Sequence, residues 1–279
     1  SFFRVLGEKK LGELMLDVGD VRVWGVYAPG SGSGASGAWM ETRAASFAPT
    51  WTDAAREALA FEYVARGTLR VVNTLEEFKA ADKAAMLANA AEEMVRSVFS
   101  GEALGKPAEA LSTFVALAHA DLKTHRFVYW FAFPSIPFAG RPPRVAAPPA
   151  LVRSPAALSA LAAHLVSAKE GFFLFVVRSR TNEADEDAAS VLCSEDARGA
   201  EVRCAPLAAF RDLSPHEQKR VVLGCVDPSP EPDHPGWPVR NLLALACVVF
   251  GAARKQVPLV LVRDRVTGAG VAQGKPFAN

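Results

Sequence analysis

A glycine motif is the first feature of the sequence that could support chemistry. Gly32 to Gly37 has the G-x-G-x-x-G spacing that holds nucleotide phosphates. In that role the third glycine opens a helix whose amides point at the phosphate. Here Ala38 to Thr50 shows no sustained apolar period and contains Pro49. We therefore predict a flexible surface loop over Gly30 to Gly37, with a nucleotide loop in a free-standing α/β enzyme as the alternative.

The nucleophilic and metal-ligating residue types are sparse. The four cysteines are Cys193, Cys204, Cys225 and Cys247. A reactive cysteine needs partial exposure beside a cation or a helix start, whereas Cys225 and Cys247 lie in apolar runs that predict core packing. The histidines lack ligand spacing, and no G-x-S-x-G sequence is present. We predict no catalytic residue, no metal site and no cofactor site in this chain.

The sequence Pro235-Gly236-Trp237-Pro238 precedes two further residues of interest, Arg240 and Asn241. Proline in a first helical turn predicts a rigid start to a helix, with Trp237 packed beside it. Tryptophan and arginine also dominate binding hot spots, so direct contact with a partner is the alternative. Both interpretations place Trp237 at the start of this helix.

Charge is unevenly distributed over the second half of the chain. Residues 182–233 contain twelve acidic and five basic residues, while residues 235–279 contain six basic residues and one acidic residue. These faces either neutralise each other within the fold or form a basic groove for an acidic segment of a partner. On the second interpretation the partner-binding residues are Trp237, Arg240, Asn241, Arg263 and Arg265.

Composition excludes several classes of function. The chain has 279 residues, with 31 Lys plus Arg and 30 Asp plus Glu. A net charge of +1 argues against a nucleic-acid or anionic-membrane binder. The longest strongly apolar stretch, Leu242 to Ala253, is shorter than the ~20 residues of a membrane span. We predict a cytoplasmic protein with reduced cysteines, no nucleic-acid partner and no membrane insertion.

The first half of the chain alternates helical and strand patterns. A capping box of Thr74 and Glu77 predicts a helix that runs to Gly101. The other predicted elements of this half are helices at Ser1–Leu14 and Pro107–Lys123 and strands at Val21–Tyr27, Thr68–Val72 and Arg126–Phe133. The last strand is too apolar for exposure on both faces.

Seven prolines between Pro134 and Pro155 predict a linker. The elements predicted after it are a helix from Ser154, a strand at Phe172–Val177, an acidic loop at Asn182–Asp187, a strand at Arg220–Val226, a helix from Pro238 to about Ala253 and a strand at Pro258–Val262. Strand, helix and strand at this length predict a parallel crossover unit. The predicted fold is α/β, with two mixed α/β subdomains, each a sheet flanked by helices, at 1–138 and 154–279, joined by a proline-rich linker at 139–153.

Two long regions resemble a known family. The first comprises GTLRVVNTLEEFKAADKAAMLANAAEEM at Gly67–Met94 and HADLKTHRFVYWFAFPS at His119–Ser135. The second comprises DPSPEPDHPGWPVRNLLALA at Asp227–Ala246 and VPLVLVRDR at Val257–Arg265. In order and spacing they are similar to the amino-terminal domain of autophagy-related protein seven, the ubiquitin-activating-like enzyme of autophagy.

The resemblance implies a conjugating-enzyme recruitment domain that is not catalytic alone. The family's full-length enzyme uses ATP and magnesium to activate autophagy-related proteins eight and twelve, and passes them to the conjugating enzymes, autophagy-related proteins three and ten. The resemblance also implies that adenylation, the catalytic cysteine and homodimerisation belong to a carboxyl-terminal part that this chain lacks. The expected location is the cytoplasm, with the pre-autophagosomal structure for the parent protein, and the expected process includes protein transport.

Overall fold

The computed structural model describes residues 1–30, 39–137, 152–178, 188–194, 200–229, 231, 234–250, 258–263, 266–267 and 270–271. The helices are α1 Phe2–Lys9, α2 Trp51–Glu57, α3 Leu75–Ala80, α4 Lys83–Phe99, α5 Pro107–Ala110, α6 Pro155–Ser167, α7 Ala188–Cys193, α8 Pro215–Gln218 and α9 Trp237–Phe250. The strands are β1 Asp20–Ala28, β2 Trp39–Glu41, β3 Tyr63–Val72, β4 Phe114–Asp121, β5 Arg126–Ala132, β6 Phe172–Arg178, β7 Glu201–Pro206, β8 Val221–Val226, β9 Leu259–Val262, β10 Val266–Thr267 and β11 Gly270–Val271.

Two sheets form the framework, which confirms the predicted mixed α/β class. The larger sheet has the order β2-β1-β3-β4-β5, with β3 and β4 parallel and the other neighbours antiparallel. The smaller sheet has the order β7-β6-β8-β9, with β8 and β9 parallel. The predicted strand-helix-strand unit is therefore confirmed as β8, α9 and β9. The predicted loops at Gly30–Gly37 and Asn182–Asp187 lie almost wholly outside the described residues.

The predicted helix from Pro107 to Lys123 is wrong beyond its first turn. α5 ends at Ala110, and Phe114–Asp121 is the strand β4. Its apolar residues match helical spacing, but β4 pairs in parallel with β3, from Gly67 opposite Phe114 to Val72 opposite His119. Tertiary pairing in a buried sheet position therefore overrides a local pattern that fits both structures.

The predicted helix from Thr74 to Gly101 is two helices. The capping box is confirmed, because the Thr74 side chain accepts from the Glu77 amide and the Glu77 side chain accepts from the Thr74 amide. The helix stops at Ala81, whose ψ of 132° is not helical. The Asp82 carboxylate then accepts from the amide of Ala85 and caps α4. Aspartate competes with the helix by offering this cap, so the helical pattern continues across a break.

The predicted strand at Arg126–Phe133 is confirmed as β5, but its predicted burial is wrong. β5 is an end strand of the larger sheet, and Val128, Tyr129 and Phe131 are exposed. An apolar composition normally indicates a strand covered on both faces. Here the apolar strand lies at the edge of the larger sheet, so aromatic side chains are exposed along that edge.

The two sheets share one apolar core in the described part of the chain. A single cluster of buried residues includes Val23 and Phe114 from the larger sheet and Phe173 and Val226 from the smaller one. Backbone contact joins them as well, since the Val64 amide donates to the carbonyl of Lys169 over 2.8 Å. The predicted linker at 139–153 lies mostly outside the described residues, so the division into subdomains stays a prediction.

Two glycines make room for a phenylalanine that the larger sheet buries. Gly67 on β3 and Gly25 on β1 lie beneath the ring of Phe114. A β-carbon on Gly67 would overlap three atoms of that ring. The absence of a side chain at Gly67 therefore determines how closely Phe114 packs on the sheet.

We expect Gly67→Ala to lower the free energy of unfolding by about 1–3 kcal/mol, because the buried ring cannot move without disturbing its neighbours. Gly12→Ala is the matched control, since no atom lies within 4 Å of a β-carbon there. Denaturant unfolding of both variants measures the difference. Equal midpoints would show that Phe114 relaxes without cost.

Glu170 follows Lys169, whose carbonyl accepts from Val64 of the larger sheet, and its carboxyl group is shielded from solvent. Burial raises the pKa of Glu170 to about 8, the nearby carboxylate of Glu109 adds to the rise, and a backbone hydrogen bond from Ala108 opposes it. Its Oε1 has no hydrogen-bond partner among the described residues. Because the folded-state pKa exceeds that of the unfolded chain, this group stabilises the fold at acidic pH, and the contribution is lost as the pH rises through about 8.

We expect Glu170→Gln to raise the free energy of unfolding at about pH 9 by about 1–3 kcal/mol, because the amide is never charged. The variant should also lose less stability than the parent chain between about pH 5 and pH 9. Denaturant unfolding across this range is the measurement. The exposed Glu92→Gln is the control, and an unchanged pH slope in Glu170→Gln would contradict the prediction.

Candidate partner-binding site

A groove of about 490 Å³ opens over one face of the larger sheet. Its floor includes the aliphatic side chains of Val23, Leu69, Ala116 and Ala118 on β1, β3 and β4. We call it the aromatic groove, because the aromatic residues along it are Phe2, Phe3, Trp39, Phe114, Tyr129, Phe131, Phe133 and Trp237. This volume lies within the range of small-molecule and cofactor pockets, which is about 300–1,000 Å³.

Strand alternation places the rings along the groove. Phe127, Tyr129 and Phe131 project from the same face of β5, because successive side chains of a strand point to opposite faces. Phe3 on α1 packs on Phe127 with ring centroids 4.8 Å apart. At the other end Phe133 stacks on Trp237 at 4.1 Å. A continuous series of aromatic contacts therefore links α1, the edge strand and the start of α9.

The opposite wall of the groove is fixed by an ion pair. Arg43 donates two hydrogen bonds of 2.7 Å to the carboxylate of Glu62 and also contacts Glu41 at the end of β2. Burial alone would raise the pKa of Glu62, but the guanidinium of Arg43 and the amide of Leu59 hold it below its usual range. Bidentate geometry restricts both side chains. The short β2 wall is thus held in place next to the groove.

Trp237 lies at the inner end of the aromatic groove and is half-buried. Its ring stacks on Phe133 and meets Tyr27 edge-on at 5.7 Å. Packing beside the helix start is therefore observed, and the same ring lines the groove. Arg240, one turn along α9, donates from Nε to the carbonyl of Pro235 over 3.1 Å. A partner role for either residue stays a prediction.

Asn241 is fully buried, with 0% of its surface exposed. Its Oδ1 accepts from the amide of Ile136 over 3.0 Å, and its Nδ2 donates to the carbonyls of Leu111 and Pro134 over 2.9 and 3.1 Å. The side-chain amide is therefore used inside the fold and joins α9 to the segment that follows β5. In this structure Asn241 supports the aromatic groove and presents no surface to a partner.

Arg263 forms an internal ion pair with Asp227. Its Nε and Nη2 lie 3.0 and 2.8 Å from Oδ2 of Asp227, and its Nη1 donates to the carbonyl of Glu231 over 2.8 Å. The other carboxylate oxygen accepts from the amides of Ser229 and Gly236. Burial raises the pKa of Asp227, while these amides and the guanidinium oppose the rise. The ion pair fixes the loop before α9.

The structure thus brings four of the five sequence-predicted residues to one end of α9. Asp227 links them, since it contacts both Arg263 and the Gly236 amide next to Trp237. Arg265 lies outside the described residues. Sequence reasoning missed the aromatic wall of β5 and α1. The alternation of rings from Phe127 to Phe133 was the signal that could have revealed one continuous aromatic face.

The cysteines differ in their surroundings. Cys225 is buried as predicted, and burial raises the pKa of its thiol. Burial also raises the pKa of Cys204 to about 12. The core prediction for Cys247 is wrong: it is exposed, because α9 turns Leu242, Leu245 and Ala246 toward the core and Cys247 away from it. An apolar run around a helix does not reveal which side faces solvent.

Within the described residues, no group of three or more His, Cys, Asp and Glu side chains could hold a metal ion. In the same part of the chain, no helix combines the length and apolarity needed to cross a bilayer.

We expect Arg263→Ala to lower the free energy of unfolding by about 3 kcal/mol, because it leaves the buried Asp227 carboxylate without its counter-ion. Adding Asp227→Asn should lower the free energy of unfolding less in the Arg263→Ala variant than in the parent chain, since the amide carries no charge. A double-mutant cycle measured by denaturant unfolding tests the coupling. Arg240→Ala is the control, and additive effects at 227 and 263 would rule the coupling out.

The sequence matches a known protein family over most of its length. Residues 1–273 match the family described as "Ubiquitin-like modifier-activating enzyme ATG7 N-terminus". The chain is 30% identical over 276 residues to ubiquitin-like modifier-activating enzyme ATG7 of Homo sapiens, covering 95% of this chain and 35% of that protein. It is 33% identical over 252 residues to the ATG7 of Gibberella zeae, covering 88% and 35%. The chain therefore spans about a third of the length of these curated relatives.

Solved structures agree with the fold. The crystal structure of Kluyveromyces marxianus Atg7NTD superposes with a TM-score of 0.60 at 15% identity, covering 100% of this chain and 88% of that one. A chain of the K. marxianus Atg7NTD-Atg10 complex gives 0.56 at 16% identity, covering 99% and 84%. At these identities the structures support the architecture, whereas the sequence matches establish descent. This chain belongs to the family of the amino-terminal region of ubiquitin-like modifier-activating enzyme ATG7.

Proposed function

We propose that this chain recruits a conjugating enzyme of autophagy for the activating enzyme of which it forms part. The observation that carries the proposal is the aromatic groove with the exposed strand β5 beside it. An apolar concave surface next to a sheet edge is typical of sites that bind an extended or helical segment of another protein. One related structure, from K. marxianus, is a complex of Atg7NTD with Atg10, and it supports the proposal for this chain.

The edge strand supplies the first means of binding. β5 pairs with β4 on one side, and in the described residues no strand pairs with its other side. Such an edge offers backbone donors and acceptors to an added strand. The exposed side chains of Tyr129 and Phe131 on one face, and of Val128 on the other, would contact the residues of that strand.

The aromatic groove supplies the second means of binding. Its rings are held by packing, from Phe3 against Phe127 to Phe133 against Trp237, so a partner meets a surface that is already formed. Rigid aromatic side chains contribute large contact areas at low entropic cost. Trp237 takes the partner-contact role here as the inner end of that surface.

The proposed mechanism is tethering rather than chemistry. Binding raises the effective concentration of the partner's cysteine near the activating site, so transfer becomes in effect intramolecular. The partners are autophagy-related proteins three and ten, and the modifiers transferred are autophagy-related proteins eight and twelve. The catalytic cysteine, the ATP and magnesium sites and the dimer contacts are assigned to the remainder of the parent protein, at the pre-autophagosomal structure in the cytoplasm.

Calorimetry distinguishes this proposal from the free-standing nucleotide-binding enzyme. Recruitment requires saturable binding of autophagy-related protein three or ten to this chain alone, with no heat from added ATP or NAD. Saturable nucleotide binding with no affinity for either conjugating enzyme would support the alternative through Gly32–Gly37.

We expect the double variant Tyr129→Ala/Phe131→Ala to weaken binding of the conjugating enzyme about tenfold or more, because exposed aromatic residues at a docking edge act as hot spots. Titration calorimetry with the purified conjugating enzyme measures the dissociation constant. Circular dichroism first establishes that the variant is folded.

Phe99→Ala is the matched control. Phe99 is 69% exposed, close to the 53% of Phe131, but it ends α4 and does not line the aromatic groove. Its removal should leave the dissociation constant within about twofold. Equal weakening by both variants would indicate a general loss of apolar surface, and no weakening by the double variant would remove β5 from the site.

A further inference from the structure

A second cavity, of about 400 Å³, lies on the face of the larger sheet opposite the aromatic groove. Arg22 on β1 and Thr68 on β3 are opposite each other in the register and both line this cavity, whereas their chain neighbours Val23 and Leu69 line the groove. This is the alternation expected of side chains along a strand. We call the cavity the polar cleft; its walls come from β1, β3, α4 and residues 102–114.

Three cations of the polar cleft have no internal partner. Arg66 on β3 pairs with Glu93 on α4, with Nη2 and Oε1 3.1 Å apart. Arg22, Arg96 and Lys106 also line the cleft, and none of their side chains forms a hydrogen bond or ion pair within the part of the chain that the structure describes. All three are exposed. Their N–H donors are therefore available to a ligand.

Hydroxyl groups add neutral donors to the same surface. Thr68 on the sheet and Ser97 on α4 line the cleft from its two sides. Among the described residues neither hydroxyl has a hydrogen-bond partner. A hydroxyl can donate to an anionic oxygen and add direction to the attraction of the cations. The cleft thus combines charge with oriented donors.

Three carboxylates also line the polar cleft and limit the charge of its ligand. Glu93 is held in the ion pair described above, whereas Glu102 and Glu109 lie on the opposite wall, on either side of Lys106 in the sequence. Four cations and three carboxylates leave a net charge of +1, and the cationic excess is on the sheet and α4. Such a cleft attracts a compact anion on that side, while its acidic wall repels a polyphosphate.

We propose that the polar cleft binds a small phosphate monoester. The phosphate accepts hydrogen bonds from the guanidinium groups of Arg22 and Arg96 and from the hydroxyl of Thr68. Three acceptor oxygens with a charge of about −1.5 to −2 near pH 7 match separate donors better than the two oxygens of a carboxylate. The organic part packs on Ala90 and Ala110, two of the apolar residues of the lining. Because the cleft and the aromatic groove are on opposite faces, both can be occupied together.

Titration calorimetry of the purified chain with phenyl phosphate tests this assignment. We expect saturable binding at one site that weakens as salt is added. Pyrophosphate and ATP should give no saturable heat, because Glu102 and Glu109 repel their higher charge. Arg22→Gln/Arg96→Gln should weaken binding of phenyl phosphate about tenfold or more. Glu102→Gln/Glu109→Gln should strengthen it about threefold or more, since two repelling charges are removed.

Lys123→Gln/Arg126→Gln is the matched control, because it also removes two exposed cations but neither residue lines the polar cleft. It should leave the dissociation constant within about twofold. Circular dichroism establishes that each variant is folded. The proposal is overturned if phenyl phosphate does not bind, if the control weakens binding as much as Arg22→Gln/Arg96→Gln, or if pyrophosphate binds as tightly as phenyl phosphate.

Sedimentation with vesicles that contain phosphatidic acid separates a soluble phosphate monoester from the same group on a lipid. We expect the chain to stay in solution, because the phosphate must enter a concave site between α4 and the sheet. Sedimentation with the vesicles that is lost in Arg22→Gln/Arg96→Gln would assign the polar cleft to a lipid and overturn the soluble ligand.

Discussion

The buried amide of Asn241 is the contact on which the candidate site depends. It is donor and acceptor at once, and its three partners lie at Leu111, Pro134 and Ile136. Those residues belong to the first half of the chain, whereas Asn241 belongs to the crossover helix of the second. An unpaired buried amide costs about 1–3 kcal/mol, so the two halves must meet in this one register. Phe133 is then placed directly against Trp237.

This register explains why the aromatic groove forms where the two sheets meet. The shared core fixes the larger sheet, and the chain leaving β5 is drawn toward α9. Phe133 and Trp237 would each be exposed on an isolated half. Stacked together, they close the inner end of a groove whose other walls come from β2 and α1. A surface held by packed rings and a buried amide fits the tethering role proposed above.

Sequence patterns predicted the elements whose signals are local. The capping box at Thr74, the proline at the start of α9 and the β8-α9-β9 crossover need few residues, and all three are present. The break at Asp82 and the strand β4 were missed because helical spacing of alanine and leucine continues through both. Trp237, Arg240 and Asn241 were singled out together because they lie near one another in sequence, and their partner role stays a prediction. Ring alternation along β5 could have indicated an aromatic face, but the packing of α1 against that face is a tertiary contact that no local pattern indicates.

The charge pattern of the second half had two interpretations, mutual neutralisation or a basic groove, and local sequence could not choose between them. In the structure Arg263 is satisfied by Asp227 and by the carbonyl of Glu231. Two opposite charges from the two segments thus neutralise each other inside the loop before α9. Because Arg263 is paired with the buried carboxylate of Asp227, it stabilises the loop and adds little to the field that a partner meets. For this residue, the neutralising interpretation of the charge pattern fits better. Under the proposed function, we therefore expect apolar area and the strand edge to supply most of the affinity at the aromatic groove.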